Sequence, residues 1–90
     1  MPAPLTVYTL PNCIQCTLTK HALDEAGLAY ETVDLTHDQA AVDLVAQLGY
    51  RSAPVVTVGA DHWTGFRPDK INAIAAARAA NTPVLKEENE

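Results

Sequence analysis

The sequence predicts a single α/β domain with elements in the order β-α-β-α-β-β-α, a four-stranded mixed sheet flanked by three helices. Three observations carry this expectation. Short runs of β-formers alternate apolar and polar residues, apolar residues recur at helical spacing between those runs, and glycine or proline punctuates the junctions. Ninety residues are enough for one modest core and too few for two. Residues 1–80 are assigned to that domain. Residues 81–90, with a proline and a run of charge, are expected to form a loose tail.

The first strand is expected over 5–10, where Leu5-Thr-Val-Tyr-Thr-Leu10 alternates and is rich in β-formers. Pro11 breaks it, and Asn12 is suited to cap the helix that follows. From Cys13 that helix carries Ile14, Leu18, Ala22, Leu23 and Ala26 as its apolar face, and Gly27 is a natural stop. His21 falls opposite this face, toward water. A second strand is expected over 28–35. Thr36 and Gln39 then have the spacing of a capping box for a second helix, with Ala41, Val45 and Leu48 on its buried side and Gly49 closing it.

Pro54 to Val58 reads as a short third strand, with proline at the position a strand tolerates best. After a turn at "GAD", His62-Trp63-Thr64 supplies an antiparallel fourth strand. Pro68 suits the first turn of a third helix that buries Ile71, Ile74 and Ala75 and runs to Asn81. Both β-α-β units are expected to be crossovers giving parallel strands, with the hairpin adding one antiparallel edge. Helices are then needed on both faces of the sheet.

Composition excludes some functions. A formal net charge of −5 argues against nucleic acid or a membrane surface as partner, since both call for a basic face. No segment approaches the ~20 apolar residues of a membrane span. The N-terminal "MPAPLTVYTL" has neither a basic n-region nor a cleavage site. A cytoplasmic location is therefore expected, where a structural disulfide is out of place.

Cys13 and Cys16, in "TLPNCIQCTLTK", are the two cysteines of the chain. A structural zinc site needs four ligands, and His21, His37 and His62 are too scattered to complete one. A cysteine at a helix start meets unpaired N–H groups and the positive end of the helix dipole, which favour thiolate. Cys13 is placed there, and Cys16 lies one turn later. Exchange then takes two steps: Cys13 attacks a partner disulfide, and Cys16 resolves the mixed disulfide. With no lysine or arginine close before Cys13, the helix end is the main influence, and a pKa of roughly 7 is expected. Pro54, before a strand and after "RSA", is a candidate for a cis bond, against the plain reading of a trans proline that opens a strand.

"CIQC", followed by "SAPVV" and then "WTGFRPD", resembles the NrdH-redoxins, small glutaredoxin-like members of the thioredoxin fold. The similarity spans about residues 5 to 80. The resemblance implies the thioredoxin/glutaredoxin fold with Pro54 in cis beside the dithiol, Cys13 as nucleophile and Cys16 as resolving thiol. It places Ile14 and Gln15 on the surface around the pair, and Ala53 and Pro54 on the partner groove. Trp63, Thr64, Gly65, Phe66 and Arg67 correspond to a segment that ties loops together and shapes docking. On their own, these residues leave other roles open: Trp63 and Phe66 as core or lid, Arg67 as a donor to loop carbonyls, Gln15 as an exposed spacer.

The same resemblance implies an oxidoreductase without bound cofactor beyond the Cys13–Cys16 disulfide. Its electron source would be thioredoxin reductase and its acceptor class Ib ribonucleotide reductase, with the chain acting as a monomer. Ile14 stands where valine or methionine is common, and Thr64 where serine is. Leu10 is the larger departure. Glutathione-dependent glutaredoxins typically carry lysine three residues before the nucleophile, to pair with a glutathione carboxylate, and "TGFRPD" also replaces their glutathione-binding "GG-x-[ST]-D" region. A charge-assisted hydrogen bond of that kind is worth roughly 1.5–3 kcal/mol, one to two decades of affinity. The alternatives are a glutathione-dependent glutaredoxin and a non-catalytic zinc or binding module.

Overall fold

In the computed structural model, residues 4–80 are described, so the tail assigned to 81–90 lies outside the described residues. The elements are β1 (Leu5–Thr9), α1 (Ile14–Glu25), β2 (Glu31–Asp34), α2 (Gln39–Gln47), β3 (Val55–Val58), β4 (Asp61–Thr64) and α3 (Pro68–Ala80). The predicted order is thus observed, with β2 shorter than its expected span and Leu10 outside β1.

The four strands form one mixed sheet in the order β2-β1-β3-β4. Val7, Val56 and Trp63 make one row across β1, β3 and β4, and Tyr8, Val55 and Thr64 make the next. Because side chains alternate along a strand, these rows face opposite sides. The first row joins Leu5, Leu23 of α1, Leu28 and Ile71 of α3 in the larger core. On the other face, Tyr8 and Val55 meet Ala41 and Val45 of α2. Both faces are covered, as the sequence predicts. Burying a large apolar side chain of this kind stabilises by about 1.5–3 kcal/mol.

One expectation about direction fails. β1 and β2 are parallel, but β3 runs antiparallel to β1, so the second β-α-β unit is no parallel crossover. The chain leaves the sheet at Asp34, beside Thr9, and rejoins it at Val55, beside Tyr8. Both points lie at the end of the sheet where β1 finishes. α2 covers about 14 Å at 1.5 Å per residue. The seven residues 48–54 that follow can span about 23 Å when extended, enough to bring the chain back along the whole helix.

The caps also differ from expectation. Asn12 adopts a left-handed φ of 59°, a conformation asparagine tolerates better than most residues. Cys13, extended at φ −108° and ψ 106°, is the N-cap of α1, its sulfur accepting from the Cys16 N–H at 3.1 Å. Asp38 caps α2 by accepting from the Ala41 N–H at 3.0 Å. Thr36 instead turns back to Asp34, donating its N–H at 2.9 Å and its hydroxyl at 2.6 Å to Oδ1. On α1 the buried residues are Cys16, Thr19 and Leu23, whereas Ile14 and Leu18 are 78% and 42% exposed. The apolar stripe that periodicity predicts is therefore rotated by about one position.

Among the described residues, no helix is long and apolar enough to cross a membrane. Replacing the α2 cap, Asp38→Ala, is expected to cost about 1 kcal/mol in urea unfolding. Asp38→Asn keeps an acceptor there and should stay close to the parent; equal destabilisation in the two variants would count against the cap.

Candidate functional site

Asp34, Val55 and Thr64 are in pairing register near the end of β1, so everything attached to them collects at that end of the sheet. There the Cys13-Ile-Gln-Cys16 turn, the Ser52-Ala-Pro54 loop and the Thr64–Arg67 segment meet. Cys13 and Cys16 are joined as a disulfide, with Cα atoms 5.2 Å apart. Cys13 is half-buried and Cys16 only 2% exposed. The sulfur at the surface is thus the one at the helix start, and the sulfur one turn on is shielded behind it.

Backbone hydrogen bonds fix the neighbouring loops. The Ala53–Pro54 peptide is cis, as the resemblance implies. The Pro54 carbonyl accepts from the Gly65 N–H at 2.9 Å and from the Thr64 hydroxyl at 3.0 Å. Thr64 also lies 3.3 Å from the Ser52 carbonyl. Gln15 reaches across to accept the Phe66 N–H at 3.2 Å, so it is a tie between the cysteine turn and the distant loop rather than an idle spacer. A Cβ on Gly65 would stand 3.4 Å from the Gln15 oxygen, and the φ of +85° there suits glycine.

Trp63 is a core residue and Phe66 packs at the core's edge. Among the described residues, the Arg67 guanidinium bonds no loop carbonyl. Arg67 forms a fork on Asp69, Nε to Oδ1 at 3.1 Å and Nη2 to Oδ2 at 2.9 Å, while its own carbonyl accepts from Lys70 and Ile71 at the start of α3. That ion pair holds the Asp69 carboxyl below its ordinary pKa and the Arg67 guanidinium above its own.

A groove of about 560 Å³ runs beside the disulfide, with Thr9, Leu10, Asn12, Thr17, Lys20 and Asp34 among its lining residues. Lys20 and Asp34 are not among the site residues that the sequence motifs single out. Lys20 lies seven residues after Cys13, two helical turns along the same side. Asp34 ends the strand parallel to β1, and the carboxyl ends of strands are where α/β folds place ligand crevices. Those two positional signals could have found them. Hydrogen bonds from the Thr36 hydroxyl and N–H hold the Asp34 carboxyl below its ordinary pKa. Leu10 also lines a second, more apolar groove of about 230 Å³ with Leu35, Val42, Tyr50 and Arg51.

The histidines are engaged separately, His21 with Glu25, His37 with Asp34 and His62 with Tyr50. Among the described residues, no group of three or more His, Cys, Asp or Glu side chains is arranged to hold a metal ion.

Comparison with known proteins agrees with this geometry. The glutaredoxin family model matches residues 5–63. The chain belongs to the glutaredoxin family. Within it, a glutaredoxin-like protein NrdH from Salmonella typhimurium is 41% identical, over 78% of this chain and 86% of that protein. NrdH from Lactococcus lactis is 34% identical over 79% of this chain and 99% of its own. The structure of NrdH-redoxin from Escherichia coli superposes with a TM-score of 0.74 at 33% identity, covering 91% of this chain and 99% of that one. This chain is an NrdH-type glutaredoxin-like redoxin with the thioredoxin/glutaredoxin fold, a thiol–disulfide oxidoreductase carrying a Cys13–Cys16 pair.

Asp34 gives the redoxin a specific acid response. Its folded pKa is depressed below the ordinary 3.8, so its contribution to stability is present above pH 3.8 and fades as pH falls through the lower folded value. Asp34→Asn removes that contribution. Unfolding midpoints in urea across pH 2–7 should show the parent losing stability at the acid end more steeply than the variant, and parallel profiles would refute the assignment.

Proposed function

We propose that this redoxin carries electrons from NADPH-dependent thioredoxin reductase to class Ib ribonucleotide reductase in the cytoplasm, as a monomer whose redox centre is the cysteine pair itself. The observation that carries the reading is the placement of the two sulfurs. The Cys16 N–H already points at the Cys13 sulfur in the disulfide form, and in the reduced protein that N–H and the helix dipole favour the Cys13 thiolate at the start of α1. It attacks a partner disulfide at the groove, and one partner sulfur departs as thiolate. The Cys16 thiol gives up its proton and attacks the Cys13 sulfur, so the second partner sulfur leaves and the internal disulfide closes. The partner gains two electrons and the redoxin dithiol loses two.

Support for the reductase over glutathione comes from Leu10. It is 39% exposed and lines the groove where a cation would otherwise meet a glutathione carboxylate. The E. coli neighbour is itself described as having a thioredoxin-like activity profile. Ile14, at 78% exposure, presents an apolar side chain beside the pair, suited to packing against a protein surface. Gln15, Ala53, Pro54, Thr64, Gly65, Phe66 and Arg67 shape the docking face, with Trp63 supporting it from the core.

Two outcomes test the reading. Cys16→Ser should trap a mixed disulfide through Cys13, seen by mass spectrometry, while Cys13→Ser, which leaves only the shielded Cys16 thiol, should trap far less; faster trapping in Cys13→Ser than in Cys16→Ser would reverse the roles. NADPH consumption with thioredoxin reductase and a disulfide substrate should be at least tenfold faster than with glutathione and glutathione reductase, because leucine at position 10 offers a glutathione carboxylate no cation. The opposite order would favour a glutathione-dependent glutaredoxin.

A further inference from the structure

Thr19 is the one polar residue fully buried among the described residues, at 0% exposure, and its hydroxyl has no hydrogen-bond partner. A buried hydroxyl left in this state costs about 1–3 kcal/mol, and valine would fill the same volume without that cost. Threonine in a helix ordinarily returns its hydroxyl to a carbonyl three or four residues back. Thr17 does so on the same helix, donating to the Cys13 carbonyl at 3.3 Å. Thr19 does not.

Thr19 shares the buried stripe of α1 with Cys16, one turn away, where Cβ atoms of such neighbours stand about 5–6 Å apart. With the disulfide closed, the Cys16 sulfur carries no charge. In the open form it is a thiol that must become a thiolate while almost wholly removed from water, and burial in apolar surroundings opposes that ionisation. The charged groups along the groove beside it are Lys20 and Asp34, of opposite sign. We propose that the Thr19 hydroxyl is the hydrogen-bond donor to the Cys16 sulfur in the reduced and mixed-disulfide states, and that it eases the ionisation needed for resolution.

This rests on Cys16 being the resolving thiol, and the test separates the two claims. The reduced redoxin is mixed with an aromatic disulfide whose thiolate absorbs visible light. Attack by Cys13 releases one thiolate and forms Cys13–S–S–aryl. Cys16 then loses its proton to solvent, attacks the Cys13 sulfur and releases the second thiolate. Cys16→Ser should keep the parent's fast first release and lose the second, whereas Cys13→Ser should slow the first release; that contrast establishes the resolving role, and a first release slowed in Cys16→Ser but fast in Cys13→Ser would remove the basis of the proposal.

With that role established, Thr19→Val is expected to raise the pH midpoint of the second release by about one unit, the equivalent of one tenfold loss of hydrogen-bond stabilisation. A less acidic thiol is also the better nucleophile, which offsets part of the tenfold loss of thiolate. The second release should therefore be about threefold slower than in the parent below the midpoint and about threefold faster above it. Thr19→Ala should behave like Thr19→Val, Thr19→Ser like the parent, and the first release should be unchanged throughout. A role confined to packing would leave the midpoint where it is. An unchanged midpoint in both Thr19→Val and Thr19→Ala, or a Thr19→Ser variant that shifts as they do, overturns the proposal.

Discussion

The direction of β3 is the constraint on which the active end depends. Because β3 runs antiparallel to β1, its first residue, Val55, lies beside Tyr8 at the end of the sheet where β1 gives way to the cysteine turn. Pro54 is delivered to that same end. β4 then returns toward it, with Thr64 opposite Val55, so the following Gly65-Phe-Arg67 segment arrives there too. A parallel β3 would have put Pro54 at the far end of the sheet, a strand length from the sulfurs. The cysteine turn and both later loops reach one end of a small sheet only with this alternation of directions.

Convergence alone would leave flexible loops, and here local bonds between backbone and side chains limit their freedom. Pro54 offers its carbonyl to two donors, the Thr64 hydroxyl and the Gly65 N–H, and Gln15 receives a third donor from Phe66. These bonds run between pieces of chain separated by up to 51 positions, so each closes a loop in three dimensions. Tyr50 adds an anchor behind them, its hydroxyl 2.8 Å from His62 Nδ1 and its ring edge-on to the imidazole. Net stabilisation by each hydrogen bond is only about 0.5–1.5 kcal/mol. Their larger effect is geometric, because they hold the surface beside Cys13 in one arrangement.

Element types and order were legible in the sequence because they follow from patterns of two and 3.6 residues, which survive in short segments. The cysteine turn was legible because its chemistry is carried by two residues of a rare type. Directions and caps were less so. A helix between two strands suggests a crossover, yet the length of 48–54 allowed the chain to retrace α2. Thr36 and Asp38 are both good cap residues, and Asp34, a residue on the neighbouring strand, captured Thr36 and left the cap to Asp38. On α1 the polar Thr19 is buried and the apolar Ile14 exposed, a reversal that hydropathy alone reads backwards. Both residues lie within a turn of a reactive sulfur, where chemistry and docking compete with burial.

Leu10 shows how one side chain can act on two surfaces. It lines both the polar groove along the disulfide and the apolar groove bounded by Leu35, Val42 and Tyr50. A lysine there would set a hydrated charge on the ridge between them, favouring a small anion over an apolar surface. Leucine makes the ridge apolar instead, and the exposed Ile14 adds apolar surface beside Cys13 along the same groove. Lys20 and Asp34 remain in the polar groove with opposite charges, so that groove lacks the strong positive field a tripeptide carboxylate would select. On the proposed function, a protein segment can pack apolar side chains on Leu10 and Ile14 next to its disulfide, whereas glutathione has little apolar surface to offer. On the proposed function, this rim suits a macromolecular disulfide through interactions that are broad and individually weak.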